Sequence, residues 1–438
     1  MLALGTILSF SVWQAATAAA HAIPRDFDDS ILSSTGNDTA NGTAPGRGDY
    51  IWTPTCRLPS PKDFMYSMGF DYAEGCVPGT GTLRGFMIFV DFPDAVVPEG
   101  SEDTPQSLYD KMAPQTTAWY AQASYGALNL NITADTTAYY RMPKPAAAYD
   151  WMGSTFRQSS YAQDALDAFT ANGTRPPPPE VDALYIVPTG RAASWISRSQ
   201  TTFEPISTRQ GQKVAKKAIT FGAADTDLIA MTMVHETGHT FCLPDYYSFQ
   251  NYAGFYVGGY SVMAETQGMA PDFFAWDKYR LGWIRDEAVD CVLEVGSTEH
   301  VLTPLAIKGS GSDKKAVVLA GSETTALIAE VRIAAGLDKE ACAPGVVLTE
   351  VNTRIGGGNG PIRVLDTTPG SGGCAGILDD MVDSALSLTL EGSKSLAYAP
   401  VSSYDVPGWG VKVTLLSVAD EKYTIRVDRQ TPPRTTTY

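Results

Sequence analysis

His235-Glu236-Thr237-Gly238-His239, with Asp245 following, constrains this chain more than any other feature. Residues four apart share one face of an α-helix, so both imidazoles can meet a single metal ion. Glu236 adjoins the first histidine, where a carboxylate can reach a water at that metal without ligating it. Pro244 ends the helix, after which the chain can turn back and deliver Asp245. Two imidazoles and one carboxylate leave a fourth position open on a tetrahedral zinc ion, the pattern of a catalytic site. A structural zinc site would be closed by four protein ligands, often cysteines, and no CxxC pair is present to close one. The other two histidines, His21 and His300, lie far from the motif in sequence.

The compartment follows from the ends and the cysteines. Residues 2–13 are apolar, and the small-residue run 15–20 leads to cleavage sites after Ala20 or Ala22, so residues 1–22 read as an export signal, although its start lacks lysine and arginine. No other segment approaches the roughly 18 apolar residues of a membrane span, so the mature chain is expected to be secreted without one. Six cysteines suit an oxidising compartment. Proximity favours Cys56–Cys76 and Cys342–Cys374, leaving Cys242 with Cys291. Sequons at Asn37, Asn41, Asn131 and Asn172 are candidate glycan sites. A formal charge of −16 excludes the basic footprint that nucleic-acid binding needs.

Along the chain, residues 23–61 are rich in Ser, Thr, Asn, Gly and Pro and read as an extended arm or propeptide. Residues 85–92 form a buried strand, 106–125 a helix that Pro114 is placed to kink or split, and 128–132 a half-buried strand. A helix over 161–169 precedes Pro176 to Pro179, an extended linker, and 183–187 is another strand. The motif helix is capped near Asp225 or Thr226 and runs through Phe241. Strands alternating with helices predict a mixed α/β catalytic domain over 62–290. Short strand-like runs at 317–319, 326–333, 345–351, 386–390 and 411–416 then predict a β-rich, sandwich-like domain over 291–430, with a tail at 431–438. The glycine cluster 356–360 is a loop; it lacks the Lys-Ser/Thr and helix start of a phosphate cradle.

The run from His235 through Leu243-Pro244-Asp245-Tyr246 resembles the immune inhibitor A family of secreted metallopeptidases, near the metzincins. Gly259-Tyr260-Ser261-Val262-Met263 looks like the methionine turn beneath their zinc, and Ala275-Trp276-Asp277-Lys278, Leu281-Gly282-Trp283, Val90-Asp91-Phe92-Pro93-Asp94 and Ser124-Tyr125-Gly126 are further matches in order. The resemblance implies an α/β metzincin-like fold with a mixed sheet and a zinc-binding helix. It implies a monomeric endopeptidase, secreted with a prosegment, that acts on proteins and peptides. His235, His239 and Asp245 would hold Zn2+, with Glu236 as general base and then general acid and Met263 as an apolar base for the site. Calcium at the acidic loops is a second candidate cofactor.

Two departures bear on the site. Cys242 stands where such motifs carry glycine for a sharp turn, at a left-handed cost of about 1–2 kcal/mol, and a disulfide to Cys291 is expected to hold it. Should the helix end differently, Glu265 and Asp277 are the nearest substitutes for Asp245. The residues after Met263 are Ala264 and Glu265, where some metzincin-like sites have a tyrosine, and Tyr246, Tyr247 and Tyr260 stay open as the electrophile. Cys56 could cap the metal as a prosegment thiolate, although the even cysteine count favours a disulfide. The competing readings are a zincin with a differently placed glutamate ligand and a non-catalytic zinc-bearing binding module; Glu236 favours catalysis over the latter.

Overall fold

Two neighbouring parallel strands set the layering in the computed structural model, which describes residues 53–434 apart from 62–65, 72–74, 150–154, 224–227 and 378. The export signal, Asn37 and Asn41, most of the arm, and the cap candidates Asp225 and Thr226 lie outside the described residues. Side chains alternate faces along a strand. In β1 (Gly81–Asp91), Met87 and Phe89 join one hydrophobic cluster while Ile88 and Val90 join another. The strand numbered β4 (Val181–Pro188) divides the same way, Ala183, Tyr185 and Val187 against Leu184 and Ile186, and is buried throughout. A strand with both faces covered is the mark of a central position.

On one face lie α1 (Pro105–Ala123) and α3 (Ile229–Thr240), through Met112 and Met233; on the other lies α2 (Thr155–Phe169), through Tyr161 and Leu166. Pro105 occupies the first turn of α1, whose cap Thr104 accepts from Ser107 N. Pro114 neither ends nor divides this helix; it sits on the exposed side. The remaining strands are β2 (Leu128–Ala134), β3 (Tyr140–Arg141), β5 (Gln200–Thr201), β6 (Ile206–Ser207) and β7 (Lys213–Thr220). Together they make a seven-stranded sheet with path β2-β1-β4-β7-β5, β3 pairing with β1 and β6 with β7. The first four strands of that path run parallel, and β5 and β6 pair with β7 antiparallel, so the sheet is mixed. Asn131 and Asn172 are exposed.

After α4 (Ala275–Arg280) the chain is β-rich, with β8 (Val289–Val292), β9 (Gly296–Leu302), β10 (Ala316–Ala320), β11 (Thr325–Arg332), β12 (Gly345–Asn352), β13 (Ile362–Val364), β14 (Ser403–Val406), β15 (Val411–Ala419) and β16 (Lys422–Arg429). Five of these form the sheet β13-β12-β11-β10-β8 and four the sheet β14-β15-β16-β9. Val317, Leu327 and Leu348 pack with Val413, Ile425 and Val427, joining the two sheets through one cluster. The opposite face of the five-stranded sheet, including Val318, Ile328 and Val347, belongs to the cluster that also contains Met233 and Met263. The strand expected at 386–390 is a single bridge, Leu386 to Val346. From Leu348 onward the edge of β12 is already taken by Leu365 and β13.

Two expected disulfides are corrected. Cys56 pairs with Cys291 and Cys76 with Cys242, while Cys342–Cys374 is as proximity suggested. Proximity in sequence measures loop closure in the open chain, not distance after packing. Val77 N donates to Thr240 O at 2.8 Å, which lays Cys76 beside the end of α3. Cys56 is buried in the core and committed to Cys291, so its thiol is not available to cap a metal.

One ion network ties the β-rich part to the loop preceding α4. Fully buried Arg332 of β11 pairs with Glu330 at 2.9 Å and Asp338 at 2.7 Å, and donates to Ala270 O at 2.7 Å and Tyr260 O at 3.2 Å. Glu330 in turn accepts from Ala275 N at 2.6 Å, and Asp338 from Asp272 N at 3.0 Å. Removing the one cation leaves two buried carboxylates unpaired. Arg332→Met is therefore expected to lower stability by about 3–5 kcal/mol, measured by denaturant titration; a loss under about 1 kcal/mol would show that the network does not hold this junction.

Candidate metal centre

Every residue from Thr232 to Thr240 of α3 is buried, as expected for a helix covered on all sides. Its cap residue, Leu228, makes no side-chain cap bond. The helical period puts His235 and His239 on one side, with ring centroids 4.8 Å apart. Each imidazole is turned by a backbone carbonyl: His235 Nδ1 donates to Val262 O at 2.8 Å and His239 Nδ1 to Leu243 O at 2.7 Å. A carbonyl can only accept, so each Nδ1 carries a hydrogen, and in the neutral ring that a metal requires each Nε2 presents a lone pair.

The third donor comes from beyond the helix. Phe241 caps α3 and Cys242 takes the left-handed conformation at φ 59°, with its N–H bonded to His239 O at 2.9 Å. Glycine would adopt that conformation without steric cost, whereas cysteine is held there by its bond to Cys76, not to Cys291. The chain then passes Pro244 and returns Asp245, whose Oδ1 lies 3.2 Å from both Nε2 atoms. Asp245 Oδ1 is buried without a hydrogen-bond partner. Three lone pairs thus face one point. Ligands about 2.0–2.1 Å from a tetrahedral zinc would stand about 3.3 Å apart, close to the spacing of Oδ1 from each imidazole. The donor chemistry and spacing fit such an ion, and among the described residues this is the one group of three that can hold a metal.

Charge at this point favours a cation. Burial disfavours imidazolium at His239, but Asp245, with help from Glu236, outweighs it and lifts the pKa to about 9. Burial would raise Asp245, yet His239 and His235 hold its carboxyl well below the usual range. At Glu236 burial prevails and pushes the carboxyl up, against the pull of the two histidines and Thr201. Thr201 Oγ1, on the edge strand β5, lies 2.9 Å from Glu236 Oε2 and fixes the carboxylate's orientation.

All four residues open into a cleft of about 1230 Å³ that is also lined by Tyr66, Phe203, Tyr247, Phe249 and Glu265. Met263 is fully buried under α3; a Cβ at Gly238 would stand 2.5 Å from its Sδ. Glu265 is on the cleft wall but outside the donor group, and Asp277 is committed elsewhere, to Tyr246 Oη at 2.6 Å and Phe274 N at 3.2 Å. The Oη of Tyr260 donates to Val382 O at 2.9 Å, away from the cleft, whereas Tyr247 lines it, its ring 6.2 Å from that of His235.

Sequence reasoning missed three contributors. Thr201 sits on a strand of two residues, too short to show a period. Tyr66 precedes the first described strand and has no motif around it. The glycine loop, read only as a loop, clasps the third donor: Gly358 N donates to Asp245 O and Phe249 N to Gly358 O, each at 3.1 Å. A Cβ at Gly358, where φ is +75°, would stand 2.1 Å from the Phe249 ring, so only glycine fits. That bare backbone contact was the available signal, but nothing in the sequence gave its partner.

No protein-family model matches this chain, and no curated protein matches it either. If the three donors hold zinc, metal at 100 times its Kd adds about 2.7 kcal/mol of stability. Asp245→Ala should remove most of that gain. Thermal unfolding with zinc and with chelator measures it, and equal gains in parent and variant would take Asp245 out of the ligand set.

Proposed function

We propose that this chain is a secreted zinc-dependent endopeptidase, with a metzincin-like catalytic region over 62–290 and a sandwich-like region over 291–430, similar to the immune inhibitor A family. The observation that carries the reading is the convergence of His235 Nε2, His239 Nε2 and the partnerless Asp245 Oδ1, with the Glu236 carboxylate beside them. When bound, a zinc ion supplies Lewis acidity, polarising a carbonyl and acidifying a water. Glu236 accepts a proton from the attacking water and returns it to the leaving nitrogen. Thr201 keeps the carboxylate aimed for that exchange. Edge strand β5 lies along the cleft and gives an extended peptide a backbone to follow.

Three disulfides accord with secretion, and no described helix is long and apolar enough to cross a membrane. The test is casein cleavage by parent and Glu236→Gln, with zinc content measured on both. Cleavage is expected to fall by about 10²–10⁴-fold with zinc retained. Equal cleavage by both proteins would sink this mechanism, and zinc in both with cleavage by neither would leave a metal-bearing binding module.

A further inference from the structure

The tyrosines around the cleft differ in one respect, namely what their hydroxyls already hold. Tyr246 is committed to Asp277 and Tyr260 to Val382 O, while Tyr247 stands on the His235 side of the site, its ring 6.2 Å from that imidazole. Tyr66 lines the same cleft, and its Oη is buried with no hydrogen-bond partner. A buried hydroxyl without a partner costs about 1–3 kcal/mol, so a group that arrives in the cleft with an acceptor oxygen would relieve it.

The ring is held in place on several sides. It lies nearly parallel to His239, at 8° and 6.1 Å between centroids, and packs against Phe203 at 5.1 Å. The residues that follow are fixed in the core: Ser67 Oγ donates to Thr353 O at 3.1 Å, Trp276 Nε1 to Met68 O at 2.7 Å, and Arg280 Nε to Gly69 O at 2.7 Å. A phenol carries its proton at neutral pH, so this hydroxyl is a donor.

We infer that Tyr66 is a catalytic residue that donates a hydrogen bond to the carbonyl oxygen of the bond being cleaved as negative charge builds on it. This rests on the peptidase reading above. Water adds to the carbonyl carbon, the π pair moves to oxygen, and Glu236 takes the water's proton. Tyr66 donates to that oxygen without losing its own proton. The carbonyl then re-forms, the C–N bond breaks, and nitrogen leaves with the electron pair and the proton from Glu236. A donor preset for charge that develops only in the transition state acts on kcat more than on substrate binding.

Tyr66→Phe keeps the ring and removes the hydroxyl. The expected result is a fall in kcat of about 10²–10³-fold, with KM and zinc content near the parent's. Affinity for a phosphinic peptide, which carries the tetrahedral oxygen, should fall by a similar factor while affinity for a product peptide holds. A zinc-loaded, folded variant with kcat near that of the parent would overturn the assignment and leave the peptidase reading intact. Absence of cleavage by the parent would overturn both. If the variant fails to fold, the parent's crystal structure with the phosphinic peptide decides. Tyr66 Oη within hydrogen-bond distance of a phosphinyl oxygen upholds the role, and any other partner for it overturns it.

Discussion

A carboxylate oxygen held against two imidazole lone pairs is the contact on which the rest of this structure depends. Left alone, Asp245 Oδ1 would turn toward water or a donor, yet it is buried, partnerless, and 3.2 Å from each Nε2. Such an arrangement persists only where the surroundings over-determine it. Carbonyls of Val262 and Leu243 fix the two rings, a left-handed Cys242 bonded to Cys76 reverses the chain, and Gly358 grips Asp245 by its backbone. Each of these constraints makes sense as support for a site that is poorly satisfied by the protein alone.

The β-rich part belongs to this support. Arg332 reaches from β11 to the carbonyls of Tyr260 and Ala270, on either side of Met263, and Tyr246 N bonds Met263 O at 2.9 Å. A buried ion pair is weak evidence for stability as such. Its effect here is geometric, because several hydrogen bonds to backbone carbonyls fix one loop in one place. The loop in turn carries Val262, which orients His235, and Met263, which packs under Gly238. The hydrophobic cluster beneath the site likewise includes residues from both parts of the chain, so the site's floor is not the work of the α/β part alone.

Legibility followed the range of the interactions involved. Strands β1 and β4 were visible because their apolar runs are continuous, and α3 because two histidines and a glutamate mark it. Pro114 does not split α1, because packing of the buried face through Leu108, Met112, Trp119 and Tyr120 holds the helix together around an exposed proline. Strand β9 has no apolar alternation to read, since four of its first residues are exposed. The run at 386–390 has strand-like composition but meets an edge that β13 has filled. The pairings of Cys56 and Cys76 failed for the same reason: their partners are 235 and 166 residues away and are brought near only by packing.

By itself the sequence determined which donors exist and how two of them are related. The period of a helix is set by local backbone geometry, so His235 and His239 must share a face wherever the helix lies. It also marked Cys242 as standing where the resemblance places a turn glycine, while the left-handed conformation itself, at φ 59°, came from the fold. Only the tertiary structure decided where Asp245 points, which cysteine holds the turn, and that Tyr66, Thr201 and Gly358 surround the centre. Those outcomes arise from contacts between segments far apart in the chain. No local preference encodes them, and they become defined only when the sheets and the buried helix pack around one another.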